Sequence, residues 1–209
     1  MNTTGGSMIL LVAWLLRDAG IILAVAGGLT GTLAVFTGGG WLLVRMTSRL
    51  RDVVGISWRS TNPRFGVRKS FELPGWAPIL QVPGVHFVSL QYGDVEAETA
   101  AAAAATGARI TVDAEVDSLL DLDLYAAQIA AMDLVITVSN TAAHMAGALG
   151  APTWLMLPRG NGLLWYWLLC QGEHCPWYPS IRVFRQERAG DWSGMVRQVG
   201  QVLAARRPA

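Results

Sequence analysis

The residues best suited to chemistry stand in one short polar turn that follows an apolar run. Ser139, Asn140 and Thr141 come directly after residues 134–138, and His144 follows one helical turn later. Each of the three turn residues can cap the free N–H groups at the start of a helix. A helix start carries partial positive charge and suits a phosphate. The pattern predicts an anion-binding turn with His144 beside it; an ordinary cap with a structural histidine is the alternative.

The elements around this turn form a strand–helix–strand unit. Residues 134–138 are apolar and β-branched, which is typical of a parallel strand covered on both faces. Residues 142–149 are small and favour a helix, which Gly150 and Pro152 end. Residues 154–157 supply the next strand. Open α/β sheets bind ligands at the carboxyl ends of their strands, which is where the polar turn lies.

Strands and helices alternate along the chain from residue 53. This alternation predicts the α/β class, with a Rossmann-like parallel sheet and helices on both of its faces. We expect one such domain over residues 53–205. The predicted strands are 53–58, 85–90, 109–112, 134–138, 154–157 and 181–184, and the predicted helices are 76–81, 97–105, 124–132, 142–149, 163–169 and 193–205.

Four segments, in order along the chain, resemble the donor-binding half of GT-B glycosyltransferases. His-Met-Ala-Gly-Ala-Leu-Gly-Ala-Pro, residues 144–152, is similar to the signature of the heptosyltransferase-like group, glycosyltransferase family 9. It looks closest to the domain that some bacterial tetratricopeptide-repeat proteins carry at their C-terminus. The other three segments are residues 54–59, 85–93 and 175–192. The resemblance implies one half of a GT-B fold.

The same resemblance implies a function for the domain. It would bind a nucleotide-sugar donor, whose sugar is transferred to the hydroxyl of an acceptor that the sequence does not identify. The implied donor-binding residues are Ser57, Arg59, Gln91, Ser139, Asn140, Thr141 and His144. Where these enzymes have an aspartate that helps to hold the sugar, this chain has Ser139. A non-catalytic nucleotide-sugar-binding or regulatory remnant is therefore the alternative.

The chemistry of such a transfer decides which further groups are expected. The leaving group is a nucleoside diphosphate, so fixed positive potential at the phosphates would favour the reaction. We expect neither a cofactor nor a metal. The general base of the related enzymes lies in their N-terminal half, which the first fifty residues here do not resemble. No catalytic residue is assigned, and we expect the transferase to be incomplete without an acceptor-binding half.

Four cations follow the first predicted strand, and they are the candidates for neutralising a diphosphate. Arginine suits this task through its planar, bidentate fork, and Arg59 is the strongest candidate because of its family position. A solvated loop is the alternative. The cations are Arg59, Arg64, Arg68 and Lys69.

Three other groups of residues have both a functional and a structural interpretation. The aromatic residues Trp165, Tyr166, Trp167, Trp177 and Tyr178 could stack on a base, but packing is the more common use of such residues. Asp121 and Asp123 mimic a metal motif, although acidic residues are ordinary at a helix start. Cys170, His174 and Cys175 lack a fourth zinc ligand at suitable spacing. A net charge of +1 argues against a nucleic-acid-binding surface.

The first fifty residues form a separate, hydrophobic and glycine-rich segment. Residues 19–44 carry no charge and are long enough for a membrane-spanning helix. Arg45, Arg49 and Arg51 follow at once, which predicts a domain on the cytoplasmic face of the inner membrane. The run also contains seven glycines, so an incompletely folded remnant without membrane association is the alternative.

Overall fold

The computed structural model describes residues 21–25, 32–37, 40–45, 52–170 and 172–206. The strands are β1 (Ile21–Val25), β2 (Thr32–Thr37), β3 (Gly40–Arg45), β4 (Val53–Ser57), β5 (His86–Ser89), β6 (Arg109–Thr111), β7 (Leu134–Val138), β8 (Thr153–Leu157) and β9 (Ile181–Arg185). The described helices are α1 (Gly66–Lys69), α2 (Ala77–Leu80), α3 (Glu96–Thr106), α4 (Leu122–Ala130), α5 (Thr141–Ala148) and α6 (Ser193–Ala205). Two short 3₁₀ helices span Leu73–Trp76 and Trp165–Trp167.

Strands β4 to β9 form one parallel sheet in the order β6-β5-β4-β7-β8-β9. The order reverses between β4 and β7, as it does in a doubly wound Rossmann sheet. Two connections leave the sheet in opposite directions at that point, and a crevice opens above the carboxyl ends of the two strands. The predicted α/β, Rossmann-like fold is confirmed.

Both faces of this sheet are covered, which explains the unbroken apolar character of β7 and β8. Alternate residues of a strand point to opposite faces. Ile136 and Met156 pack on one face with α2 and α6. On the other face Val135 packs with α4 and α5, and Leu155 packs against Ala143 of α5. The helices therefore lie on both sides, and they fix the position of α5 beneath the crevice.

The aromatic segment after β8 is not the helix that the sequence predicted over residues 163–169. Only Trp165–Trp167 form a single 3₁₀ turn. Trp165, Leu168 and Leu169 are exposed, while Trp167 is fully buried. The run is apolar at nearly every position, so it has no single face that one helix could bury. The segment instead buries Trp167 fully, and Leu163, Leu164 and Tyr166 pack against the same core cluster.

The prediction of a membrane-spanning helix over residues 19–44 is wrong for the described parts of this run, which are strands. Its described parts are β1, β2 and β3, which form an antiparallel sheet in that order. Glycine disfavours helix, and β-branched valine and threonine favour strand. No helix within the described ranges is long and apolar enough to cross a membrane. The rest of the run lies outside the described residues, as do Arg49 and Arg51.

Candidate functional site

The ends of β4 and β7 are joined by side chains at the point where the strand order reverses. The amide Nδ2 of Asn140 donates to Ser57 Oγ at 2.7 Å and to the carbonyl of Arg59 at 3.1 Å. The Thr137 hydroxyl donates to Asn140 Oδ1 at 3.0 Å. Ser57 and Asn140, both predicted as donor-binding residues, are buried. Their side chains hold the two strand ends together beneath the crevice.

Gln91 ties the segment after β5 to the turn after β4. Its Oε1 accepts from Ser57 Oγ at 3.1 Å, from the Trp58 N–H at 3.0 Å and from the Arg59 N–H at 2.9 Å. Its Nε2 is buried and has no hydrogen-bond partner among the described residues. Gln91 was predicted to bind the donor, and it lines the second of the two cavities described below. Its Oε1, however, already accepts hydrogen bonds from the Ser57 hydroxyl and from two backbone N–H groups.

The start of α5 faces a cavity of about 570 Å³ at the crevice. The amide of Asn140, the residue before the helix, makes no hydrogen bond to the first N–H groups of α5. It cannot cap them because it is engaged with β4. The N–H groups at the helix start therefore have no side-chain cap from Asn140, and their partial positive charge acts on the cavity. The lining residues are Ser60, Thr61, Asn62, Lys69, Tyr92, Ser118, Leu119, Leu122, Tyr125, Asn140, Thr141, His144 and Tyr166.

Lys69 is the cation that the structure brings into this cavity. Its side chain comes from the end of α1 and is only 5 % exposed. No carboxylate in the described part of the chain forms an ion pair with it. Burial lowers the pKa of Lys69 from its ordinary value. Sequence reasoning named this residue only as one of four cations and preferred another.

Arg59, the preferred cation, lies elsewhere. Its guanidinium forms an ion pair with Glu98 of α3, and it does not line the cavity. The neighbouring indole Nε1 of Trp58 donates to the same carboxylate at 3.2 Å. Glu98 thus neutralises Arg59 in this structure, and a donor-binding role for Arg59 stays a prediction. Arg64 and Arg68 are exposed, so Lys69 alone of the four is held inside.

Ser139, which stands where the related enzymes have aspartate, does not line the cavity. It is buried, and its Oγ accepts a hydrogen bond from Trp167 Nε1 at 2.8 Å. The serine therefore anchors the aromatic segment to the end of β7. Ser139 lines neither cavity, and its predicted contact with a donor stays a prediction.

His144 lines the cavity inside a cage of aromatic rings. Its ring stacks on Trp167 at 4.9 Å between centroids and meets Tyr166 and Tyr178 edge-on at 5.2 and 5.9 Å. Its Nδ1 lies 3.2 Å from the Tyr178 hydroxyl. Burial and the nearby Lys69 lower the pKa of His144 below 6.5, so the ring is neutral at pH 7. These three rings pack around His144, while Trp165 and Trp177 are exposed, so stacking on a base stays a prediction.

A second cavity of about 490 Å³ adjoins the first. The two share Tyr92, Ser118 and Leu119. The sequence analysis missed these three because tyrosine, serine and leucine in loops give no chemical signal. Four acidic residues also line the second cavity: Asp94, Glu96, Asp113 and Asp117. Their carboxylates are hydrogen-bond acceptors, so this cavity suits a ligand that carries hydroxyl groups.

The two other candidate clusters have structural roles. Asp121 Oδ1 accepts from the Leu124 N–H at 2.9 Å, which makes Asp121 the cap of α4. This confirms the capping interpretation. Cys170 and Cys175 are free and buried, with their sulfur atoms 2.7 Å apart in the apolar cluster around Leu155. Burial raises the pKa of Cys170 to about 12.

Comparison with known proteins agrees with this fold. No family model matches the chain. Protein FlbA of Caulobacter vibrioides is 38 % identical over 151 residues, which are 72 % of this chain and 24 % of FlbA. The crystal structure of the glycosyl transferase family 9 from Veillonella parvula matches 77 % of this chain and 48 % of its own, with a TM-score of 0.53 and 13 % identity.

A second solved structure, the ADP-heptose LPS heptosyltransferase II of E. coli, is similar over 77 % of this chain and 48 % of its own, with a TM-score of 0.49 and 16 % identity. The chain spans about a quarter of FlbA and about half of each solved structure. The likeness to the Veillonella parvula structure shows a shared fold. The resemblance to glycosyltransferase family 9, noted in the sequence, is confirmed at the level of the fold.

Proposed function

We propose that this domain is the donor-binding half of a heptosyltransferase-like glycosyltransferase and binds the diphosphate of a nucleotide sugar. The observation that carries the proposal is Lys69, a buried cation without an ion-pair partner among the described residues, in the wall of the cavity at the start of α5. An unpaired buried charge is costly. An anionic ligand in the cavity would offset that cost.

The surroundings of Lys69 favour a phosphate over a single carboxylate. The start of α5 adds uncapped N–H groups, and His144 adds a ring nitrogen on the same wall. Backbone N–H groups with a nearby lysine are a common way to hold phosphates. These donors surround a space of about 570 Å³, which has room for two phosphate groups. A nucleoside diphosphate fits this set of donors.

In this proposal the nucleoside of the ligand binds in the adjoining acidic cavity. Carboxylates such as Asp94 and Asp117 can accept hydrogen bonds from ribose hydroxyls. They would repel a phosphate, so the two cavities favour opposite ends of the same ligand. In this proposal the diphosphate lies at Lys69 and α5, and the nucleoside extends past Tyr92 and Leu119 into the second cavity.

The reaction proposed for the complete enzyme is transfer of a hexosyl or heptosyl group from that donor to an acceptor hydroxyl. Lys69 and the start of α5 would stabilise the negative charge that builds on the leaving diphosphate. The acceptor and the base that deprotonates it belong to the other half of the enzyme. An association with tetratricopeptide repeats, as in the proteins that the sequence resembles, is part of this proposal.

A non-catalytic nucleotide-sugar-binding role is the second candidate, and Ser139 favours it. Its hydroxyl is already engaged by Trp167, so the end of β7 offers the cavity no carboxylate to hold a sugar. Both candidates require the nucleoside diphosphate to bind. They differ in whether a sugar is transferred once an acceptor-binding half is supplied.

The proposal is tested by calorimetric titration of the full chain with ADP, UDP and GDP. Lys69→Gln should weaken binding at least tenfold, because a hydrogen bond to a charged group is worth about 1.5–3 kcal/mol. The matched control is Arg68→Gln, which removes the neighbouring but exposed cation of the same helix. Equal affinity in the two variants, or no binding of any of the three nucleotides by the parent chain, would refute the proposal.

A further inference from the structure

Tyr178 is held against α5 by a glycine one turn after His144. A Cβ atom on Gly147 would lie 2.5 Å from Cγ of the Tyr178 ring. No side chain fits in that space, so only glycine allows the tyrosine ring to approach the helix this closely. The close approach brings the Tyr178 hydroxyl to the His144 ring, which α5 carries on the same side.

The hydrogen bond between them determines where the His144 proton lies. The Tyr178 hydroxyl and His144 Nδ1 are 3.2 Å apart. A neutral imidazole has one nitrogen that donates and one that accepts. If the tyrosine donates to Nδ1, the proton must be on Nε2; if it accepts from Nδ1, Nε2 is bare. No described residue forms a hydrogen bond with Nε2, so that nitrogen is available to the cavity.

We propose that Tyr178 is a positioning residue, which donates its hydroxyl proton to His144 Nδ1 and so holds the imidazole as the neutral Nε2–H tautomer. His144 then presents an N–H group to the cavity. That group can donate to a phosphate oxygen, whereas a bare Nε2 would repel one. The choice of this tautomer rests on the proposed function, because a phosphate in the cavity needs a donor at Nε2, whereas the contact between Tyr178 and Nδ1 does not depend on it.

The groups around His144 are consistent with this assignment. Lys69 is the charged group that acts on the ring, and its positive charge disfavours an imidazolium. The titratable groups of the aromatic segment that face the ring are Tyr166 and Tyr178. Trp167 stacks on the flat face of the ring and limits its rotation. The orientation is therefore fixed by packing, and the tautomer by the single hydroxyl of Tyr178.

The test is ¹⁵N NMR of the imidazole nitrogens in the full chain without ligand, with His144→Gln used to assign the signals among the three histidines. The parent chain should show the proton on Nε2. Tyr178→Phe keeps the ring beside Gly147 and removes the hydroxyl. Without that hydroxyl nothing selects the tautomer, so the ¹⁵N shifts should move towards a mixture of the Nε2–H and Nδ1–H forms.

The matched control is Tyr166→Phe, whose ring also meets His144 edge-on but whose hydroxyl makes no hydrogen bond to it. It should leave the tautomer unchanged. Gly147→Ala should reproduce the effect of Tyr178→Phe by displacing the tyrosine ring. A proton on Nδ1 in the parent chain, or an unchanged tautomer in Tyr178→Phe, would overturn the inference.

A second measurement connects the tautomer to the ligand. In calorimetry with ADP, Tyr178→Phe should bind about two- to tenfold more weakly than the parent, and Arg68→Gln, which changes an exposed cation outside the cavity lining, should bind as the parent does. If the parent binds no nucleotide, the proposed function fails, yet the NMR result still decides the tautomer. Unchanged ADP affinity in Tyr178→Phe would overturn the role of Tyr178 in ligand binding.

Discussion

Lys69 puts a cation inside the domain without an ion-pair carboxylate among the described residues, and this placement lowers stability. Burial lowers its folded-state pKa below the 10.5 of the unfolded chain. Below the folded-state pKa both states are protonated and the full cost is present. As the pH rises through the window that ends at 10.5, the folded state loses its proton first, so stability increases with pH there.

From this cost we predict that Lys69→Met stabilises the chain while it weakens nucleotide binding. The melting temperature at pH 7 should rise by about 2–4 °C for each kcal/mol of relieved cost. The gain should shrink between pH 7 and 10.5, because the parent recovers the same free energy by deprotonation. Thermal unfolding of both proteins across this range is the measurement. A variant less stable than the parent would show that Lys69 has a stabilising partner.

Individual residues could be predicted from the sequence where their partners are close in the chain. Thr141 and His144 follow directly from the turn and helix, and both line the cavity. Arg59 was preferred to Lys69 because of its family position, and nothing nearby in the sequence reveals Glu98, the acid 39 residues later that pairs with it. The hydrogen bond of Ser139 could not be predicted for the same reason, since its partner Trp167 lies 28 residues away. Such pairings depend on the tertiary fold.

Among the elements, the end of β4 depends on a residue that follows β5. Gln91 accepts hydrogen bonds from two backbone N–H groups and one hydroxyl, all part-buried or buried. Gln91→Leu would leave those donors without an acceptor. We predict a loss of about 2–4 kcal/mol of unfolding free energy, given about 1–3 kcal/mol for each buried polar group left unpaired. Urea unfolding followed by circular dichroism measures it.

Gln91→Glu is the informative control for this prediction. Glutamate keeps the accepting oxygen and removes the Nε2 group that has no described partner. It should therefore be clearly more stable than Gln91→Leu, although it brings a carboxylate into a buried site. If both variants lost the same stability, the side-chain oxygen of Gln91 would not be what holds the end of β4.

The secondary structure was predictable where the amino-acid pattern has only one good solution. Strand β7 is short, apolar and β-branched, and β8 is short and apolar; both form within one residue of their predicted bounds. The Trp-rich segment and the amino-terminal run were assigned as helices on length and hydrophobicity alone. The described parts of these runs form a 3₁₀ turn and three strands instead. Hydrophobicity measures burial, and it does not distinguish one backbone conformation from another.

On the scale of the whole molecule, the order of the strands in the sheet brings the residues of the site together. Residues of β4 and β7 are about eighty positions apart in sequence, yet Val54 pairs with Leu134 and Ser57 with Thr137. The sequence predicts parallel strands, but their order depends on which helices cover which face. The reversal between β4 and β7 brings Lys69 and the start of α5 to one cavity.

That cavity is open on one side, and apolar Leu119 and Leu122 on its wall are exposed. The chain also spans only 48 % of the family 9 structure whose fold it shares. We therefore predict that the chain by itself binds a nucleoside diphosphate but transfers no sugar at a useful rate. In a GT-B enzyme the acceptor is oriented by the opposite half, and positioning two reactants is worth roughly 7–11 kcal/mol of the barrier.

The measurement is incubation of the purified chain with radiolabelled nucleotide sugars and with cell-envelope or protein acceptors. Weak hydrolysis of the donor is compatible with the prediction, because water needs no second domain to hold it. Binding of the corresponding nucleoside diphosphate in the same preparation is the control, since it shows that the site is folded. Rapid transfer to an acceptor by this chain alone would mean that the acceptor site is built from residues 1–209. The first fifty residues, β1 to β3 among them, would then be the segment to examine.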